Sequence, residues 1–154
     1  MSETKDKTTL QASAVAIDGR ALVIEGAPGV GKSSLALALI ERGAVLIGDD
    51  GVTLKRDGEP GDEGARLMAV PPPNIEGLLE VRGVGLLTVP VAQTTPVALI
   101  LTLLGPDDED GERLPRWAPK REILGCRVPS LRFRAGEIAP AERAAVALQM
   151  HGLD

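Results

Sequence analysis

One short run constrains the fold of this chain more than any other: Gly26-Ala27-Pro28-Gly29-Val30-Gly31-Lys32-Ser33. It satisfies every fixed position of the G-x-x-x-x-G-K-[ST] pattern. Its flanks agree with the pattern. The apolar run Ala21 to Glu25 enters it as a strand, and Leu35, Ala36, Ala38 and Leu39 leave it at helical spacing. The glycines let backbone N–H groups turn inward around phosphate oxygens, and the start of the helix adds partial positive charge. Lys32 then reaches the outer phosphates, Ser33 offers a hydroxyl to a divalent cation, and Ser34 is expected with the loop among the nucleotide-binding residues. A chain with this loop is expected to bind a nucleoside triphosphate, ATP with Mg2+ being the simplest pair. The expected fold class is α/β, a P-loop domain with a mixed sheet.

The rest of the sequence supplies the elements around that loop. Ser13–Ile17 and Ala21–Glu25 read as strands joined by Asp18-Gly19, a pair suited to a type I′ hairpin turn, which needs positive φ at both positions. The helix runs over about residues 32–42 and ends at Gly43. Strands are expected at 44–48, 52–55, 66–70, 78–82, 86–91 and 97–104, then as two short pieces at 123–129 and 131–134. Residues 57–64 and 105–116 read as loops, and Pro140 opens a final helix over 141–150. Residues 1–9 read as a disordered tail, and 10–154 as one catalytic domain.

Composition narrows the function classes. Trp117 and Phe133 are the only aromatic residues, and the formal net charge is −5. Neither a basic face nor a stacking platform for nucleic acid is therefore expected. Cys126 is the only cysteine and His151 the only histidine, which excludes an internal disulfide and disfavours histidine triads and zinc clusters. No apolar stretch is long enough to span a bilayer. The expectation is a soluble cytoplasmic protein.

Two further constellations carry chemistry. Asp49-Asp50 ends the apolar strand that follows the P-loop helix, at the end of the sheet where ligands bind. One carboxylate there can accept a hydroxyl proton while the other holds magnesium. The pair comes 17 residues after Lys32, earlier than the acidic strand end typical of small-molecule P-loop kinases, and little chain remains for a lid. In Glu80-Val81-Arg82-Gly83-Val84-Gly85, Glu80 and Arg82 fall on one side of a strand. They could serve metal and phosphate, or form a structural ion pair at a sheet edge. Gly83 and Gly85 suggest close backbone approach or a bulge.

The hairpin into the P-loop, Asp49-Asp50, the run Glu80 to Gly85, and Ile123-Leu124-Gly125-Cys126-Arg127-Val128-Pro129 together resemble the catalytic domain of HPr kinase/phosphorylase, in the short form found in alphaproteobacteria. The resemblance spans roughly residues 10–150. It implies a fold related to the nucleotide-binding domain of phosphoenolpyruvate carboxykinase. It also implies phosphorylation of a serine on the phosphocarrier HPr, reverse phosphorolysis of phosphoserine-HPr, and a hexamer. By the same resemblance, Asp49 is base in the kinase direction and acid in the reverse one. Ser33, Asp50 and Glu80 form the magnesium neighbourhood, and Arg82 belongs to the signature of the reverse reaction. Gln11 stands where that family commonly has a histidine. It can hydrogen-bond but cannot carry a proton near neutral pH, so the reverse activity is left open. A cationic group, Arg113, Arg116, Lys120 and Arg121, follows the acidic run at 107–110. It could close over phosphates, contact HPr, or be solvated.

The hypothesis at this point is in-line transfer of the γ-phosphoryl group of ATP to a protein serine, with Lys32 and the loop amides stabilising the charge. Two alternatives stand beside it. One is a P-loop small-molecule kinase; the other is a non-catalytic ATP-sensing regulatory module.

Overall fold

The computed structural model describes residues 6–73 and 76–154. Alternating apolar residues build its sheet. The strands are β1 (Lys7–Leu10), β2 (Ala12–Ile17), β3 (Arg20–Glu25), β4 (Val45–Gly48), β5 (Val52–Asp57), β6 (Arg66–Val70), β7 (Glu76–Val81), β8 (Gly85–Pro90), β9 (Thr95–Leu103), β10 (Lys120–Ile123) and β11 (Cys126–Phe133). The helices are α1 (Lys32–Ile40) and α2 (Pro140–His151). The main sheet runs β1-β5-β6-β9-β3-β2-β4, with β11 and β10 joined through β9. β7 and β8 pair only with each other.

Direction within this sheet decides where the site lies. β2 is antiparallel to both β3 and β4, so β3 and β4 point the same way. β9 is parallel to β3. The residues after β3, β4 and β9 therefore emerge at one end: the glycine loop, Asp49-Asp50 and the segment from Leu104. The Asp18-Gly19 turn has positive φ at both residues, 51° and 79°, as the type I′ reading expected.

Period-two alternation along the central strands fills both faces. Leu22, Ile24, Leu99 and Leu101 pack with Leu35 and Leu39 of α1 and with Ala144 and Leu148 of α2. Their neighbours Val23 and Ile100 face the other way, against Val52, Leu54, Leu67 and Val128. Strands β5 and β6 thus curl over the second face. Burying each Leu, Ile or Val stabilises the fold by about 1.5–3 kcal/mol, so the central strands form a stiff base for the loops at their ends. Cys126 lies in the second core, where burial pushes its thiol pKa up and the Arg56 cation partly offsets the shift.

Four expectations need correction. The tail was expected to be disordered through residue 9, yet Lys7–Leu10 forms β1, paired antiparallel with β5. Thr8 and Leu10 supply the alternation that a purely polar reading of this segment overlooks; residues 1–5 lie outside the described residues. The two short pieces at 123–129 and 131–134 are instead one hairpin. β10 turns at Leu124-Gly125, both with positive φ, into an unbroken β11. Pro129 is accommodated because β11 exchanges partners there, from β10 to β9. Arg82 lies in the β7–β8 turn rather than on the strand, with Gly83 at φ 80°. Finally, α1 ends at Ile40, with Gly43 at φ 105° closing the turn beyond it.

Candidate active site

At the common end of β3 and β4 is a cleft of about 330 Å³. It is lined by Pro28, Gly29, Gly31, Lys32, Ser33 and Ser34 on one side, Asp49 and Asp50 on the floor, and Glu80 and Arg82 opposite, with Gln11 at the edge. The topology thus brings together the phosphate loop, the acid pair and the Glu-Val-Arg segment. Three loop residues, Gly26, Ala27 and Val30, do not line it. Gly26 packs underneath, where an added Cβ would lie 2.8 Å from Val30 Cγ1 and 3.3 Å from the Leu103 backbone oxygen. Only glycine lets the chain pass there.

The helix start is built for an anion. Gly31, at φ 109°, is the N-cap of α1, which has no side-chain cap and no acidic residue in its first turn. Its leading N–H groups and dipole charge are left without an internal acceptor. Lys32 Nζ donates to the carbonyls of Gly26 at 2.8 Å and Ala27 at 3.0 Å. Those bonds hold the cation at the mouth of the loop.

The floor is fixed from below. Asp49 Oδ1 accepts two hydrogen bonds, from Ser33 Oγ at 2.8 Å and from Ser13 Oγ at 2.6 Å. Ser13 is completely buried, on the helix-facing side of β2. From the sequence alone it reads only as the first residue of a strand. The signal available was a lone hydroxyl within the apolar run Ala12-Ser13-Ala14-Val15, because a buried hydroxyl needs a partner. The next turn is also pinned: Asp50 has φ 60°, and the Gly51 amide donates to the Ala12 carbonyl at 2.9 Å. Asp49 Oδ2 makes no hydrogen bond among the described residues. This leaves it as the uncommitted oxygen of a carboxylate whose rotamer is set.

The opposite wall is different. Glu80 and Arg82 are both exposed, and neither takes part in any of the ion pairs among the described residues. The structural ion-pair reading of this segment is therefore not realised. The described residues contain no group of three His, Cys, Asp or Glu side chains close enough to hold a metal by themselves. The oxygen donors Ser33, Asp50 and Glu80 share the cleft instead of forming a cage. That set suits a hard cation such as magnesium, which takes one or two carboxylates and completes its shell with water and phosphate. Of the cationic group at 113–121, Arg121 is committed elsewhere, to Glu25.

Sequence and structure comparison find relatives of this chain. Residues 2–146 match the family model described as HPr Serine kinase C-terminal domain. The chain is 32% identical to an HPr kinase/phosphorylase of Ralstonia nicotianae and 34% identical to one of Burkholderia lata. Each alignment covers 96% of this chain and 48% of the relative, so the chain spans about half the length of the curated relatives it matches. A solved structure described as the Hpr(Ser) kinase/phosphatase from Coxiella burnetii superposes with a TM-score of 0.74 at 27% identity, covering 92% of this chain and 89% of that one.

Proposed function

The chain belongs to the HPr serine kinase C-terminal domain family, and from that premise we propose that it transfers the γ-phosphoryl group of ATP to a serine of an HPr-like phosphocarrier protein. The observation that carries this reading is the hydrogen-bonded set Ser13–Asp49–Ser33 beside an uncapped P-loop helix. It supports a division of labour within one carboxylate. Asp49 Oδ1 accepts the hydrogen bond of the Ser33 hydroxyl, which leaves the Ser33 lone pairs free to face the cleft. Oδ2 is left to accept the proton of an incoming serine hydroxyl.

The remaining roles follow from position. Loop amides and Lys32 bind the phosphates and stabilise the charge that spreads over them during transfer. Ser33, Asp50 and Glu80 would hold magnesium, which when bound neutralises phosphate charge. Arg82 lines the same cleft as Lys32, where it can orient phosphate, including the inorganic phosphate of a reverse reaction. Gln11 lines the same cleft and offers a hydrogen bond without a titrating proton. The forward reaction is therefore proposed as the dominant one. An acceptor presented on a protein surface fits the short chain between the acid pair and the later strands, which leaves little room for a lid that would enclose a small molecule.

The test uses purified protein, γ-labelled ATP, magnesium and HPr, and asks where the label goes. Label on an HPr serine supports the proposal. Label on a small molecule, or nucleotide binding with no transfer, would replace it with a small-molecule kinase or a sensing module respectively.

A further inference from the structure

A second polar cluster lies beneath the phosphate loop, and none of the roles above uses it. Glu25 is the last residue of β3, immediately before Gly26. Its Oε2 accepts a hydrogen bond from Thr102 Oγ1 at 2.6 Å and is ion-paired with Arg121 Nη1. Glu25 and Thr102 lie side by side on the parallel pair β3 and β9. Arg121 reaches them from β10. Only 17% of the Glu25 side chain is exposed, so water hydrates this carboxylate poorly and its charge needs a partner.

The position is unfavourable for an acid. A carboxylate one residue before a phosphate-binding loop repels the anion that the loop receives, and its partial burial weakens screening. Arg121 cancels that charge. It also closes a mechanical circuit. The segment from 104 to 119 leaves β9 beside the loop, and Arg134 holds its first half, pairing with Asp110 at 2.7 Å and donating to the Gly105 and Asp108 carbonyls at 2.8 and 2.6 Å. Arg121 fastens the far end of the same segment to the loop's entry strand.

We infer that Arg121, Glu25 and Thr102 form a pin that fixes the entry of the phosphate loop to β10, with Arg121 as a positioning residue that compensates the Glu25 charge. The pin concerns the loop itself; only the nucleotide-affinity part of its test rests on the function proposed above.

The test compares wild type, Arg121→Met, Arg121→Lys and the double variant Glu25→Gln/Arg121→Met, each as the full chain. Two readouts are taken: hydrogen–deuterium exchange of the amides at 26–33, and calorimetric titration with ATP and magnesium. Arg121→Met is expected to speed exchange in the loop severalfold and weaken ATP binding about tenfold. Arg121→Lys keeps the charge and is expected to keep most of the affinity. The double variant is expected to regain affinity to within about threefold of wild type, because no uncompensated charge remains. General damage to the fold would not be repaired by a second substitution. Unchanged loop exchange in Arg121→Met overturns the pin, as does a double variant that binds as weakly as Arg121→Met. Wild type that binds no ATP sinks the proposed function, while the exchange comparison still decides the pin.

Discussion

The two walls of the cleft are built on different principles. The Ser33–Asp49 wall rests on the packed core: Ser13 is completely buried, Asp49 receives two hydroxyl donors on one oxygen, and the Gly51 amide is tied to β2. The Glu80–Arg82 wall stands on a two-stranded hairpin outside the main sheet. Both its charged residues are exposed and take part in no ion pair among the described residues. The contrast separates what must be preorganised from what can adjust. A proton acceptor has to be held within a fraction of an ångström of its target. Groups that meet a hydrated cation or a free phosphate can move to meet it.

Substitutions on each wall should therefore fail in different ways. Lys32→Ala has the largest expected effect among those outside the acid pair. Transfer should fall by about 10²–10³ in kcat, as when a preorganised donor to developing charge is removed, while thermal unfolding stays cooperative. Retained turnover would contradict the phosphate-loop mechanism. Ser13→Ala leaves Asp49 with one anchor. The expected loss is about tenfold in kcat with nucleotide affinity little changed, since one hydrogen bond to a charged group contributes about 1.5–3 kcal/mol and part of that is recovered by rearrangement. An unchanged kcat would mean that the buried wall does not set the acid's position. Glu80→Gln on the hairpin should be milder. The magnesium concentration for half-maximal rate should rise about threefold to fivefold, with kcat recovered at high magnesium. A kcat loss that magnesium cannot repair would place Glu80 among the rigid groups and erase the distinction between the walls.

The same contrast explains how much could be read from the residues alone. The P-loop, its helix and the Asp18-Gly19 hairpin were legible because local chemistry dictates them: glycines at fixed spacing and a type I′ turn sequence. Asp49-Asp50 was legible as a strand end. Which of its oxygens is committed, and to what, was not. That depends on β2 lying between β3 and β4, a pairing that places Ser13 beside a carboxylate 36 residues away. Glu25 was likewise an ordinary strand terminus until β9 and β10 brought Thr102 and Arg121 to it. Lys7–Leu10 read as a polar tail because its partner, β5, lies more than forty residues further along. The unbroken β11 is not legible locally, because it changes neighbours at Pro129, from β10 to β9, and that exchange removes the need for the missing proline donor.

Asp49 carries the central claim, and one comparison tests it most directly. Wild type and Asp49→Asn are mixed with γ-labelled ATP, magnesium and HPr in a single-turnover experiment, with nucleotide binding measured in parallel. The expected result is label on an HPr serine with wild type and a loss of about 10²–10⁴ in rate with Asp49→Asn, at similar nucleotide affinity. Undiminished transfer by Asp49→Asn would contradict the account, because the asparagine keeps the shape of the site and an oxygen for its hydroxyl partners while removing the charge and the basic oxygen that accepts the proton.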